Sequence, residues 1–404
     1  MKSTQVKFLL ILFLFTVIAC QDQVEAPIAD VETEEVNEKL KTDFETNLFR
    51  SVISNEPSDK NVVISPISIS TALNMVLLGA DGNSASQIVQ AYGDDLTADE
   101  LLADSKNFNY WLSTREESPI IELSNAVFYD EKRFTPLQSF MEGLEDHFNA
   151  EEIKADFSNE TEALHMINGW VNTKTKTRIP TILKSIDPGE VMFLVNTLYL
   201  KADWLEEFNE NNTRNWEFTL TDGSTIETPT IFDRRYTNSY FGDDLLMVEL
   251  PYKGEEISMY LFKPINGDLQ ELLADFSTSK FAMLKEKLTN EDIFISLPKY
   301  EVEYENKEMV DRLKDLGIID IFSEQANLSK MSEMDDLAIS RVIHKTFLSV
   351  SEKGTEGAAA TVVGAINTSS PPSAYFDSPF MFIIADKVTN NFLFMGRVSN
   401  PKEK

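Results

Sequence analysis

Helical and strand periodicities are segregated along this chain, and that segregation decides its fold class. Leu40, Phe44, Leu48 and Val52 recur at helical spacing, with Phe49 and Ile53 widening the stripe, so an amphipathic helix opens the folded region. From Asn61 the run NVVISPISISTALNMVLLGA reads as a short extended piece, a Ser-Pro helix start and a helix apolar on most sides. Such a helix belongs inside. Residues 120–131 read as a strand, 136–148 as a helix, and 161–175 as a helix with Leu164, Ile167 and Val171 on one face. Beyond Val191 strands dominate: VMFLVNTLYLKADW, WEFTL, TIETPTI, LLMVELPY, SMYLFKP and IFISLPKY. Residues 338–352 predict a further strand, with His344, Thr346, Leu348 and Val350 sharing a face by period-two alternation. Residues 380–398 predict two apolar strands joined by a turn near Thr389-Asn390-Asn391. Helices first and strands later indicate α+β, not alternating α/β.

The N-terminus is organised differently. Lys2 and Lys7 precede an apolar run from Phe8 to Ala19, too short to span a bilayer, so residues 1–19 read as a signal peptide. Val17-Ile18-Ala19-Cys20 resembles the bacterial lipobox, in which the cysteine is diacylated and becomes the new N-terminus. Cys20 is the only cysteine, so no disulfide forms within the chain. Residues 21–38 carry seven acids and no base, which makes residues 20–38 an acidic, flexible tether. No second linker and no internal repeat follows, so residues 39–404 read as one domain. A formal charge of −31 argues against nucleic acid and anionic lipid as partners.

A quarter of the residues are charged, yet none from Gly357 through Phe376 is. Loops are usually polar and core strands bulky; this segment is neither. The chain shows no HExxH, no Gly-x-Ser-x-Gly elbow and no phosphate-cradling glycine loop, and its three histidines, His147, His165 and His344, lie far apart. An enzyme is therefore not expected. His344 reads as a hydrogen-bonded histidine on the core face of its strand.

Four groups of residues, in order, carry a family resemblance. The first is Asn61-Val62-Val63-Ile64-Ser65-Pro66 with Ser68, Ala72-Leu73, Gly79-Ala80 and Gly82-Asn83. Next come Asn168, Trp170, Val171, Thr175 and Ile179, with Thr177 where a glycine is common, and then Val195-Asn196 through Lys201 and Trp204. The tail supplies Phe376, Pro379-Phe380, Phe394-Met395-Gly396-Arg397 and Asn400-Pro401. Residues 39–404 thereby resemble the serpins, serine-protease inhibitors.

The resemblance implies a serpin fold: a large mixed β-sheet that accepts an inserted loop, smaller sheets and about nine helices. It implies suicide inhibition of serine endopeptidases, with cysteine endopeptidases a further class, through a reactive loop at residues 352–373. A protease cuts the loop, is held as an acyl-enzyme, and the loop enters the sheet as an extra strand. Glu352, Gly354, Thr355, Gly357, Ala358, Ala359 and Ala360 correspond to the hinge. The scissile bond falls between Thr368 and Ser369, with the neighbouring bonds after Ile366, Asn367 and Ser369 as alternatives, and a small β-branched Thr368 suits an elastase-like pocket. Thr355, Gly357, Ala359, Thr361, Val363 and Ala365 form the inward-facing set; all are small, as late insertion into a packed sheet requires. Ser65, Ser68, Asn196 and His344 correspond to the shutter, a polar cluster beneath the sheet, and Trp204 with Glu352 to the breach, where insertion begins. No cofactor or metal is implied. The expected partners are a target protease, bound covalently, and a membrane through Cys20, in a monomeric exported lipoprotein on the periplasmic or outer face of the outer membrane. The alternative is a non-inhibitory serpin acting as a surface binding module.

Overall fold

Helices crowd the first half of the molecule and strands the second, as the periodicities predict. The computed structural model describes residues 43–115, 119–266, 268–334, 336–355 and 371–403. The first half comprises α1 (Phe44–Asn55), β1 (Val62–Ile64), α2 (Pro66–Gly79), α3 (Gly82–Tyr92), α4 (Ala98–Thr114), β2 (Ile120–Asp130), α5 (Gln138–Phe148), β3 (Glu151–Ala155) and α6 (Glu160–Lys174). Next come β4 (Met192–Asp203), β5 (Arg214–Thr219), β6 (Thr225–Phe241), β7 (Leu245–Pro251), β8 (Ile257–Pro264), α7 (Leu269–Ala274), α8 (Thr278–Glu286), β9 (Thr289–Pro298), β10 (Tyr300–Asn306) and α9 (Met309–Asp315). The chain closes with β11 (His344–Ser351), β12 (Gly354–Thr355), β13 (Ser373–Tyr375), β14 (Phe380–Asp386) and β15 (Phe392–Val398). No helix among the described residues is long and apolar enough to cross a membrane.

Among the described residues two mixed sheets result. A six-stranded sheet runs β10-β11-β12-β4-β2-β3, antiparallel except for the parallel pair β2 and β3. A nine-stranded sheet runs β1-β15-β14-β8-β7-β6-β9-β13, with β5 paired to the start of β6. The helix expected to be apolar on most sides, α2, is buried at nearly every position. Its start is fixed by Ser65, whose Oγ accepts from the Ser68 N–H, and by Pro66 in the first turn. One apolar cluster extends from Phe44 to Val398. A smaller one, including Phe128, Ile167, Val171 and Val195, lies where α6 crosses the other face of the six-stranded sheet. The expected β14–β15 turn is present, with Asn390 in the left-handed region at φ 59°.

Two features depart from the sequence reading, and a third accounts for one of its residues. The strand expected from residue 338 begins only at His344. Residues 340 and 341 are tied instead to the loop before β4: Ser340 Oγ and Arg341 both donate to the buried Glu190 carboxylate, and Arg341 also donates to the Ser185 carbonyl. On α6 the innermost residue of the first turn is Ala163, with Leu164 only partly buried. After α6 the chain turns through Lys176 and Thr177, at φ 48° and 68°. A β-branched residue there carries strain of about 1–2 kcal/mol, which is the physical reason a glycine suits that position.

Candidate functional site

The chain leaves β11 at Ser351, turns through Glu352 and Lys353, and re-enters the same sheet as β12, wedged between β11 and β4. The turn depends on Gly354. Its φ of +140° is uncomfortable for side chains, and a Cβ there would lie 2.1 Å from the Ala202 carbonyl oxygen. Thr355 then pairs with Val350 on one side and Ala202 on the other. Its side chain is buried, and its Oγ1 lies 2.8 Å from the Tyr252 hydroxyl.

Trp204 holds this turn from below. Its backbone N–H donates to the Lys353 carbonyl at 2.8 Å and its Nε1 to the Ser351 carbonyl at 2.9 Å. Its ring stacks on Tyr252 with centroids 4.5 Å apart. Glu352 is buried beside it. Its carboxylate pairs with Lys299 Nζ at 2.8 Å and accepts from Thr213 Oγ1 at 2.7 Å. Burial alone raises that carboxyl, but the bonds from Lys299 and Thr213 overcome it and hold it below the ordinary carboxylate range. Trp204 and Glu352, expected together, are therefore brought together; Tyr252, Thr213 and Lys299 complete the cluster and were not legible in the sequence.

A second polar cluster lies deeper. The Ser65 N–H donates to His344 Nε2 at 3.1 Å, and Ser68 Oγ donates to Asn196 Oδ1. Asn196 Nδ2 donates to Asn125 Oδ1 at 2.6 Å, and Asn125 Nδ2 donates to the Phe148 carbonyl at 2.8 Å. All four residues expected here converge, and Asn125 joins them. Burial pushes His344 down to about 4, so at neutral pH the ring is uncharged, with Nε2 as an acceptor. The neighbouring hydroxyl of Thr197 is buried and without a partner among the described residues.

Between these clusters the sheet is open. β12 touches β11 only at Val350 and Ser351, and β4 only at Ala202 and Asp203. Below Thr355 no described strand lies between β4 and β11, and a cavity of about 470 Å3 runs there. Its walls include Leu194, Asn196 and Leu198 of β4, Ile343 and His344 across the gap, and Ser68 beneath. The other end of the charge-free segment is also anchored. The Phe294 N–H donates to the Pro372 carbonyl at 2.9 Å, and β13 adds to the nine-stranded sheet parallel to β9. Gly357, Ala358, Ala359, Ala360, Thr368, Ser369 and Cys20 lie outside the described residues. No grouping of three or more His, Cys, Asp or Glu suited to a metal occurs among the described residues.

A family model described as serpin, serine protease inhibitor, matches residues 39–401. The chain belongs to the serpin family. This serpin is 34% identical over 373 residues to leukocyte elastase inhibitor of Xenopus tropicalis, covering 89% of this chain and 98% of that one. It is 30% identical over 382 residues to neuroserpin of Homo sapiens, covering 90% and 92%. Among solved structures, the thermophilic serpin tengpin in its native state is similar at a TM-score of 0.82 and 29% identity, covering 91% of this chain and 94% of that one. Human thyroxine-binding globulin in complex with its ligand is similar at 0.82 and 26%, covering 91% and 99%. This serpin thus shares its fold both with a protein named for inhibiting a protease and with one named for binding a small molecule.

Proposed function

We propose that this serpin is a suicide inhibitor of serine endopeptidases with an elastase-like preference. The observation that carries the reading is the slot between β4 and β11, occupied at its mouth by β12 and open below. β12 is antiparallel to both neighbours, so a continuing strand runs straight down the gap. Its alternate residues, Gly357, Ala359, Thr361, Val363 and Ala365, then follow buried Thr355 onto the core face. All are small and none is charged, so the slot accepts them without repacking.

The chemistry belongs to the protease. Its serine attacks the Thr368 carbonyl, the Ser369 amine leaves, and the acyl bond ties the enzyme to the new chain end. That end is now free of its β13 anchor, and strand insertion carries the acylated enzyme away before water completes the hydrolysis. In this reading Trp204, Glu352 and Lys299 guard the mouth of the slot. Ser65, Ser68, Asn196, His344 and Asn125 form the latch beneath, whose hydrogen bonds must exchange as β4 and β11 separate. Residues 1–19 direct export, Cys20 carries the lipid, and the tether spaces a monomeric inhibitor from the outer membrane, on its periplasmic or cell-surface side.

Incubation with pancreatic elastase, followed by a denaturing gel, tests this reading. A covalent high-mass band is expected, with a released C-terminal fragment beginning at Ser369; trypsin, lacking an Arg or Lys in the segment, gives little or none. A chain clipped without a stable complex identifies a substrate or binding module instead, and tight trypsin inhibition overturns the Thr368–Ser369 register. For the anchor, Cys20→Ser is expected to leave the protein unlipidated and its leader uncleaved by the lipoprotein signal peptidase. Normal maturation with retention in membranes removes the lipoprotein reading.

A further inference from the structure

A second, smaller chamber lies away from the slot, between α1, α2 and α4, with the β14–β15 turn across it. It measures about 60 Å3, and its lining includes Glu45, Ser70, Asn74, Tyr92 and Asp104. Two carboxylates therefore face one small space, and no Lys, Arg or His is among the lining residues. Both acidic residues are partly buried. Burial, with Asp104 alongside, pushes the Glu45 carboxyl up to about 8 despite a bond from the Phe392 backbone, and burial pushes Asp104 up to about 6.

Two buried neutral side chains on the same lining carry oxygens without donors among the described residues. Asn74 is 5% exposed, and its Nδ2 donates to Ser105 Oγ at 3.0 Å. Ser105 Oγ in turn donates to the Leu101 carbonyl at 3.1 Å, which fixes the orientation of the Asn74 amide. Asn74 Oδ1 is then left with no donor among the described residues. Ser70, 6% exposed and one helical turn before Asn74, has an Oγ that also makes no hydrogen bond there, while Tyr92 donates to the Ser70 backbone carbonyl instead. Buried acceptors without donors are rare because each is costly. Here two of them share a chamber with two carboxylates.

We propose that this chamber is a calcium site, with the Glu45 and Asp104 carboxylates and the Asn74 and Ser70 side-chain oxygens as ligands. An all-oxygen, doubly acidic set is what a hard cation takes, and Ca2+ accepts six to eight such oxygens in irregular geometry. The chamber has room for an ion together with water, which needs roughly 10–15 Å3 of cavity. Mg2+ keeps more of its own waters and demands octahedral geometry, and zinc sites use nitrogen or sulfur ligands that the lining lacks. The binding ties α1, α2 and α4 together at the core, so it acts on stability and is independent of how the slot is used.

The test uses the full-length chain after chelator treatment and needs no protease. Added CaCl2 is expected to raise the melting temperature by roughly 2–5 °C, with half the effect reached at or below about 1 mM. MgCl2 at equal concentration does less. Terbium, sensitised through Tyr92, is expected to give saturable luminescence that Ca2+ displaces. Glu45→Gln and Asp104→Asn should each weaken Ca2+ at least roughly tenfold while leaving the metal-free protein folded and no less stable, since each removes a carboxyl that burial makes costly to ionise. Asn74→Ala should weaken it less. No calcium-dependent shift up to about 10 mM, or a shift undiminished in the Glu45→Gln, Asp104→Asn double variant, overturns the proposal; the second outcome assigns the effect to the acidic surface.

Discussion

Thr355→Arg is expected to convert this serpin from an inhibitor into a substrate. Thr355 is the first buried residue beyond the turn, already paired on both sides and in contact with the Tyr252 hydroxyl above the Trp204–Tyr252 stack. An arginine there meets the Tyr252 ring, and the nearby Glu352 carboxylate is already committed to Lys299 and Thr213. The intact fold sheds the conflict by letting the two residues of β12 leave the sheet. The inserted state has no such escape, since residue 355 begins the new strand. Burying the guanidinium costs several kcal/mol. Even about 2.7 kcal/mol on the insertion barrier slows that step roughly a hundredfold, long enough for the protease to hydrolyse the acyl bond and leave. The variant should be folded and cut at the same bond, with the complex band lost and the stoichiometry of inhibition raised at least about tenfold. Thr355→Ser, which keeps the hydroxyl opposite Tyr252, should inhibit normally. A Thr355→Arg protein that traps elastase as well as wild type shows that insertion past this position is not how inhibition works.

The parts of the site legible in the sequence are those whose roles are local. Alternation placed His344, Thr346, Leu348 and Val350 on the buried face of β11, and the Ser-Pro pair marked the start of α2. The segment from Gly357 stood out because a charged chain does not produce a long neutral run of small residues by default, and its reading as hinge came from the family resemblance. Asn125 was invisible for the opposite reason. It lies in a strand of ordinary appearance, and its role comes only from being the cross-strand partner of Asn196, a register set by the whole sheet. Tyr252, Thr213 and Lys299 reach the breach from strands and loops remote in sequence, with no spacing to announce them. Helix α4 escaped notice because polar residues interrupt its apolar stripe, although Thr97 and Glu100 form a capping box that marks its start. Helices α7, α8 and α9 are too short for a periodic signal. Residues 338–343 run into the alternating stretch of β11 but form no strand, since a strand needs a partner and theirs faces the open slot.

The open slot also sets the largest stability change expected of this molecule. Below Val350, β11 has β10 on one side and no described strand on the other, and β4 faces the same gap from across the cavity. Cleavage after Thr368 releases a segment long enough to fill it. Each backbone hydrogen bond gained is worth about 1 kcal/mol net, a new central strand makes on the order of ten of them, and the buried methyl groups of the alanines and valines add to the gain. Thr197, whose hydroxyl has no partner in the described structure, lies on the wall that the strand will cover. A stabilisation on the order of 10 kcal/mol in a chain of this size corresponds to a rise of roughly 10–15 °C in melting temperature. Protein nicked in the loop by elastase and freed of the enzyme should therefore melt far above the intact form, with both fragments held together. Nicked Thr355→Arg should gain much less, because its strand cannot seat its first residue. Calorimetry on the four samples, intact and nicked, decides the matter. Intact and nicked wild type melting within a few degrees of each other would mean that the slot does not take the loop, and that the small neutral segment serves some other end.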